Sequence, residues 1–219
     1  MSPLLPHSSG RPFVKICGQT SAATVEASLS FGARYVGFIF HRGSPRSIDP
    51  VRAAGISSAF ACRVGVFVRQ GAQEICDTMR TARLHMAQLH GRQSVEDAQR
   101  IGAERVIRVL WPQALPDAAS LQQQLDEWAP HCAYFLLDAG KSPGAGGTGH
   151  SLDVSLLSRL RFPRPWILAG GLSAANLPHI LAHCSPDGID LNSGVELAPG
   201  LKHAPHILAA FRALSGQSE

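Results

Sequence analysis

The sequence predicts an α/β protein, a single-domain (β/α)8 or TIM barrel, and three observations support this prediction. Eight short apolar runs rich in β-branched and aromatic residues recur along the 219 residues, and helical stretches lie between most of them. The runs are almost continuously apolar, as strands are when helices cover both faces of a parallel sheet. Eight βα units in roughly 210 residues match a small barrel, whereas a doubly wound sheet usually has fewer strands.

The predicted elements alternate along the whole chain. The predicted strands span residues 13–16, 35–40, 64–68, 84–89, 106–110, 134–137, 166–169 and 188–191. The predicted helices span residues 21–31, 50–60, 73–81, 95–101, 121–128, 152–160, 174–182 and 204–214, with Ser173 as the N-cap of the seventh. Because no composition break suggests a linker, we expect a loose N-terminal tail at 1–12 and one barrel domain at 13–215.

Composition excludes several classes of protein. Lys and Arg number 20 and Asp and Glu 16, a net charge of +4, but the basic residues form no dense run, so we expect no nucleic-acid partner. No apolar run reaches the length of a membrane span, so we expect no membrane partner. The five cysteines are widely spaced without a CxxC pair, which argues against a zinc site or disulfide staples. We therefore expect a cytoplasmic protein with no bound metal.

Two glycine-rich turns predict a phosphate site. Gly170 and Gly171 follow the seventh predicted strand, and Ser193 and Gly194 follow the eighth. Glycines let backbone N–H groups approach an anion, and barrels often bind phosphate in these two loops. Either turn alone could be an ordinary tight turn, but the pair at the seventh and eighth positions favours a phosphorylated ligand.

Catalytic groups of such barrels lie at the carboxyl ends of the strands, and Cys17 ends the first one. Lys15 is two residues earlier, so both side chains point to the same side, and a buried ammonium would lower the pKa of the thiol. Cys17 is thus a candidate general base, although buried cysteines are usually inert. The other four cysteines have the positions of structural residues.

Polar residues at four other strands complete the candidate site. Asp138 ends the sixth strand before a glycine-rich stretch of the kind that forms lids, which favours a catalytic carboxyl group over a helix cap. Arg46 follows the second strand and could hold a carboxylate with two hydrogen bonds or be a solvated loop residue. His90 and Asp190 have the inward parity of their strands and could orient a neighbouring group.

With these residues in place, the sequence resembles the phosphoribosylanthranilate isomerase family of tryptophan biosynthesis. Eight short motifs carry the resemblance in order, from the first strand to the end of the eighth. They are KICG (15–18), GFIF (37–40), SPR (44–46), VGVF (64–67), QLHG (88–91), GGTG (146–149), AGGL (169–172) and SGVE (193–196). Each motif is weak alone, but the eight in order are specific.

The resemblance implies a cofactor-free intramolecular oxidoreductase that converts N-(5-phospho-β-D-ribosyl)anthranilate to 1-(2-carboxyphenylamino)-1-deoxy-D-ribulose 5-phosphate by an Amadori rearrangement. It implies that Cys17 is the general base, Asp138 the general acid and Arg46 the ligand of the substrate carboxylate. The remaining binding residues would be Gly170, Gly171, Ser193 and Gly194 for the phosphate, with His90 and Asp190 beside the substrate. The expected partner is a small phosphorylated molecule, and the expected state a monomer or homodimer.

The sequence departs from the family pattern at three positions. The family commonly has a lysine directly after GGTG, a second serine before SGVE, and an aspartate after the lysine in the stretch that follows P-G. Here these positions are His150, Asn192 and His203, and none of them replaces a predicted catalytic residue. Two alternatives remain open: a non-catalytic phosphate-binding barrel, or a barrel with another substrate, such as indole-glycerol-phosphate synthase. An isomerase that also accepts the aminoaldose of histidine biosynthesis would normally have an aspartate where Cys17 stands.

Overall fold

In the computed structural model, which describes residues 11–139 and 154–216, eight parallel strands form a closed barrel in chain order. Strand β8 pairs with β1 in the register Lys15–Asp190, which closes the cylinder. The strands are β1 Phe13–Ile16, β2 Tyr35–Ile39, β3 Cys62–Phe67, β4 Met86–Leu89, β5 Val106–Leu110, β6 Tyr134–Asp138, β7 Trp166–Ala169 and β8 Gly188–Leu191. The predicted fold class is therefore confirmed.

Eight α-helices are found in the part of the chain that the structure describes, one after each barrel strand. They are α1 Ala22–Ser30, α2 Pro50–Gly55, α3 Ala72–Thr81, α4 Val95–Ile101, α5 Ala118–Trp128, α6 Val154–Leu157, α7 Leu177–Leu181 and α8 Ala204–Ser215. Polar caps fix several starts, as where Ser94 and Asp97 form a reciprocal capping box on α4. Residues 1–10, 140–153 and 217–219 lie outside the described part, including most of the predicted tail and lid, so the domain limits stay a prediction.

The predicted start of the seventh helix was wrong. Ser173 is not its N-cap, because residues 174–176 form a turn and α7 begins at Leu177 with Asn176 as N-cap. Pro178 explains the difference: proline lacks an N–H and fits the first turn of a helix, whereas a start at residue 174 would place it in the interior. The Asn176 side chain instead accepts a hydrogen bond from the Ser173 N–H at 2.8 Å and stabilises the turn.

The barrel interior changes from apolar at the amino ends of the strands to polar at the carboxyl ends. At the bottom, Phe13 packs on Tyr35 with ring centroids 4.6 Å apart, and the hydroxyls of Tyr35 and Tyr134 are 3.4 Å apart. One layer higher, Lys15 and Asp190 form an ion pair inside the barrel. A separate, larger apolar core lies between the strands and the helices.

A short antiparallel hairpin follows β8 and was not predicted. Its strands, β9 Glu196–Ala198 and β10 Leu201–Lys202, lie between the last barrel strand and α8. The hairpin places Glu196 and Lys202 beside the carboxyl end of the barrel. Within the described ranges, no helix has the length and apolarity needed to cross a membrane, and no group of three or more metal-ligating side chains occurs.

Candidate active site

A cavity of about 350 Å³ opens at the carboxyl ends of the strands. This is the position of the active site in barrels of this class, and the volume lies within the range of about 300–1,000 Å³ that is usual for ligand pockets. Seven of the nine predicted site residues line it: Cys17, His90, Asp138, Gly170, Gly171, Asp190 and Ser193. Gly194 follows Ser193 directly, whereas Arg46 is not among the lining residues.

The candidate base, Cys17, lies at the end of β1 and is only 4% exposed. A Cβ atom on Gly37 of the neighbouring strand would lie 2.8 Å from the Cys17 Sγ and 3.2 Å from the Lys15 Nζ. The thiol of Cys17 and the ammonium group of Lys15 therefore both lie against Gly37 of β2, where only a glycine leaves room for them. Inside the barrel, the ammonium group and the thiol thus lie close together, as the parity of β1 predicts.

Lys15 and Asp190 form the polar layer directly beneath this thiol. The Lys15 Nζ donates to the Asp190 Oδ2 at 2.8 Å, and the lysine is completely buried. Burial disfavours the charged ammonium, but Asp190 and the Cys17 thiol outweigh it and raise the pKa of Lys15 above its ordinary value. The second carboxylate oxygen of Asp190, Oδ1, is buried without a hydrogen-bond partner among the described residues, and Asp190 lines the cavity.

The expectation that Lys15 lowers the pKa of Cys17 is wrong in its net result. Burial, which disfavours the thiolate, raises the pKa of Cys17 above its ordinary value, and the opposing charges of Lys15 and Lys202 reduce this effect without reversing it. The sequence shows which charges lie near the thiol, but it does not show how far burial removes the thiolate from water. Lys202, a second cation near the thiol, was not predicted.

Asp138 and His90 face each other across the ends of β6 and β4. The His90 Nε2 lies 3.8 Å from the Asp138 Oδ2, too long for a hydrogen bond. The side-chain amide of Gln88 lies 3.3 Å from the His90 Nδ1 and contacts the ring from the side away from Asp138. Burial and the charge of Lys15 lower the pKa of His90 to about 4, so the ring is neutral at neutral pH.

The two glycine loops are packed against each other beside the cavity. Gly170 and Gly171 have φ angles of 96° and 65°, in the left-handed region that favours glycine. A Cβ on Gly194 would lie 1.9 Å from the backbone oxygen of Leu172, so the loop after β8 can approach the loop after β7 only as glycine. Backbone N–H groups at such a junction suit an anion, as predicted for the phosphate.

Arg46 lies at the rim of the cavity rather than in its wall. Its Cδ is 3.0 Å from the position that a Gly18 Cβ would occupy, next to Cys17. Its guanidinium donates to both carboxylate oxygens of Glu196, at distances of 2.7–3.1 Å. Sequence reasoning missed this pairing because 150 residues separate the partners. The SGVE motif, which contains Glu196, was the signal that could have drawn attention to it.

Together, the fold and the cavity define a class: (β/α)8-barrel proteins that present a thiol and a carboxyl group beside paired glycine loops at the carboxyl ends of the strands. Comparison with known proteins narrows this class. Residues 14–213 match the model of the N-(5'-phosphoribosyl)anthranilate isomerase family. The chain belongs to this family, which confirms the resemblance found in the motifs.

Relatives and solved structures agree with this assignment. An N-(5'-phosphoribosyl)anthranilate isomerase of Desulfovibrio desulfuricans is 52% identical over 204 residues, which cover 93% of this chain and 96% of the relative. The crystal structure of phosphoribosyl anthranilate isomerase from Thermus thermophilus has a TM-score of 0.78 and 37% identity, with 94% and 100% of the two chains covered. A second structure, at 30% identity, TM-score 0.77 and coverage of 94% and 99%, is a complex of phosphoribosyl anthranilate isomerase with reduced 1-(o-carboxyphenylamino)-1-deoxyribulose 5-phosphate.

Proposed function

We propose that this chain is an isomerase of tryptophan biosynthesis that converts N-(5-phospho-β-D-ribosyl)anthranilate to 1-(2-carboxyphenylamino)-1-deoxy-D-ribulose 5-phosphate. Family membership over residues 14–213 supports the reaction. The observation that carries the assignment of groups is that Cys17 and Asp138 line the same cavity, beside the glycine loops after β7 and β8. We further propose that the enzyme is cytoplasmic, acts on this small phosphorylated molecule without nucleic acid or membrane, and is a monomer or homodimer.

The proposed chemistry begins with Asp138. Its carboxyl group gives a proton to the furanose ring oxygen as the bond from this oxygen to C1 breaks, and the anthranilate nitrogen supplies the electron pair that forms a protonated Schiff base. The His90 ring beside Asp138 is neutral at neutral pH and adds no competing positive charge. Because the imine nitrogen belongs to the substrate, the enzyme needs no lysine that forms a Schiff base.

In the second step, the Cys17 thiol passes its proton to the Asp138 carboxylate left by the first step, and the resulting thiolate removes the proton from C2 of the open sugar. The electrons of the C–H bond form the C1–C2 double bond and neutralise the iminium nitrogen, which gives an enolamine that tautomerises to the ketone. Each acid–base role would contribute about 10²–10⁴-fold to the rate. The positive iminium group next to C2 favours the thiolate at this stage, in the same direction as Lys15 and Lys202.

The two charged groups of the substrate have candidate partners at the cavity. The phosphate would lie at Gly170, Gly171, Ser193 and Gly194, where left-handed or closely packed glycines leave the backbone N–H groups of the two loops without side chains in front of them. The anthranilate carboxylate would lie toward Arg46 at the rim of the cavity, on the side of Gly18. Asp190, which also lines the cavity, would lie beneath the sugar and hold Lys15 in place.

The test is the loss of anthranilate-type fluorescence after phosphoribosylanthranilate is added to the purified protein. Cys17→Ala and Asp138→Asn should each lower kcat by at least about 100-fold, the lower end for a lost acid or base. Both variants should still bind the reduced product analogue. Cys76→Ala, in α3 and away from the cavity, is the matched control and should keep the wild-type rate. An unchanged fluorescence signal with wild-type protein would refute the function, and an active Cys17→Ala the base assignment.

A further inference from the structure

A cluster of buried charges surrounds Glu196, at the point where three loops of the barrel meet. Its carboxylate accepts hydrogen bonds from the Arg46 Nε and Nη2, from the Lys202 Nζ at 2.7 Å and from the Gly200 N–H at 3.2 Å. Glu196 and Lys202 are 3% and 1% exposed, respectively, although neither belongs to a barrel strand. Such extensive burial of charge outside the barrel requires a structural or functional reason.

The hairpin and its neighbours hold this carboxylate in one place. Gly200 adopts a left-handed φ of 86°, and a Cβ there would lie 2.8 Å from the backbone oxygen of Pro45, the residue before Arg46. The Lys202 Nζ also donates to the side-chain oxygen of Asn192 at 2.7 Å and to its backbone oxygen at 3.1 Å, so all three of its N–H groups have acceptors. Lys202 therefore uses all its N–H groups in hydrogen bonds to the protein, and Arg46 is the cation of the cluster that has further N–H donors.

The pattern of hydrogen bonds shows which donors these are. Every hydrogen bond that the Arg46 guanidinium donates to a described residue uses Nε or Nη2 and ends on Glu196. A guanidinium has five N–H donors in a planar fork and can bind two carboxylates, one on each edge. The edge formed by Nη1 and the second Nη2 hydrogen is left for an external ligand.

The charges of the cluster favour an anion on that edge. Glu196 is flanked by Arg46 and Lys202, whose hydrogen bonds outweigh the effect of burial and lower its pKa, so it is a carboxylate at neutral pH. One negative charge then faces two positive charges. The cluster keeps one uncompensated positive charge, and a planar carboxylate would match both its sign and its geometry.

We propose that Glu196 is a positioning residue, which fixes Arg46 by one edge of the guanidinium and so presents the other edge to the carboxylate of the substrate's aromatic ring. This inference rests on the proposed function, and it adds a residue that makes no contact with the substrate. It explains why Arg46 can serve as a carboxylate ligand although it is already in an ion pair. Without Glu196 the arginine would keep its charge and lose its fixed orientation.

The experiment compares Glu196→Gln with the wild-type enzyme on two substrates. With phosphoribosylanthranilate, KM should rise about tenfold, less than for loss of a direct partner in a hydrogen-bonded charge pair because Glu196 acts only through the orientation of Arg46, while kcat stays within about twofold. With the analogue that lacks the carboxylate, N-(5-phosphoribosyl)aniline, wild type and variant should have equal KM values. Glu127→Gln, an exposed glutamate on α5, is the matched control and should match wild type on both substrates.

Further arms separate positioning from a general structural role. In Arg46→Ala, adding Glu196→Gln should raise KM no further, because the residue acts through this arginine. If Glu196→Gln does not fold, Glu196→Asp serves in its place, since it keeps the charge near Lys202 and withdraws the carboxylate by one methylene. A wild-type KM in the single variant, or an equal loss on the aniline analogue, would overturn the inference. Failure of the wild-type enzyme to consume phosphoribosylanthranilate would instead overturn the proposed function, and this inference with it.

Discussion

Replacing Lys15 by methionine should destabilise the barrel in a way that depends on pH. Methionine keeps most of the length of the side chain and removes the charge, so the Asp190 carboxyl group is left in the interior without its ion-pair partner at 2.8 Å. A buried carboxylate without a partner takes up a proton, because an uncompensated charge in the interior costs more than protonation does.

The free energy needed to keep Asp190 protonated in the folded variant sets the expected loss of stability. The ordinary pKa of the carboxyl group is 3.8, so it is ionised in the unfolded chain at pH 7. Holding it neutral in the folded variant costs about 1.4 kcal/mol for each pH unit above that value, or about 4 kcal/mol at pH 7 and about 2 kcal/mol at pH 5. Burial already raises the pKa of Asp190 in the wild-type fold, against the opposing charge of Lys15, and loss of Lys15 should raise it further. The added penalty is therefore present above the unfolded pKa and disappears as the pH falls toward it.

Urea unfolding at pH 7 and pH 5 measures both quantities. The free energy of unfolding of Lys15→Met, compared with wild type at the same pH, should recover by about 2–3 kcal/mol between pH 7 and pH 5. The double variant Lys15→Met/Asp190→Asn has no carboxyl group at this position and should show no such recovery. A loss below about 1 kcal/mol at pH 7, or a loss of equal size at the two pH values, would refute the reasoning.

Three further predictions follow from the geometry of the site. Gly37→Ala places a Cβ 2.8 Å from the Cys17 Sγ and should lower kcat at least about tenfold, at an overpacking cost of about 1–3 kcal/mol in unfolding free energy; unchanged kinetics would contradict the tight fit. Gly194→Ala should push the two glycine loops apart and weaken competitive inhibition by inorganic phosphate about tenfold, by loss of about one charge-assisted hydrogen bond. Gly55→Ala, where an added Cβ meets nothing within 4 Å, is its control and should keep the wild-type inhibition constant. The ring protons of His90 should titrate by NMR with a midpoint of about 4, and a midpoint near its ordinary 6.5 would show that burial and Lys15 do not act on it as described.

The barrel could be predicted because its determinants are local. A strand covered on both faces is apolar along most of its length, and Val106–Leu110, in which Arg108 is the one charged residue, and Trp166–Ala169 end in the structure at the residues where the apolar runs end. Because side chains alternate between the two faces of a strand, Cys17 faces the same side as Lys15, two residues earlier. The position of the candidate base therefore follows from the strand itself. The start of α7 required one more local rule, the restriction of Pro178 to the first turn.

The charge network around Arg46 could not be predicted in the same way. Glu196 and Lys202 belong to a hairpin that has no strong strand pattern, and their partner lies on a loop at the other end of the sequence. Which distant charges meet depends on closure of the barrel, which brings the loop after β2 next to the loop after β8. The predicted direction of the Cys17 pKa shift was wrong for a related reason. Sequence spacing shows which charge is near the thiol, whereas burial of the thiol depends on the assembled fold.

The raised pKa of Cys17 fits the proposed order of steps. Lys15 and Lys202 both favour the thiolate, but each also donates to a carboxylate, Asp190 or Glu196, which offsets part of its effect on the thiol. Burial therefore dominates, and the thiol of the free enzyme keeps its proton more firmly than an exposed thiol would. In the proposed mechanism, the iminium group formed after Asp138 has donated its proton would add a positive charge beside Cys17 and favour the thiolate. Ring opening would then be the condition for proton abstraction from C2.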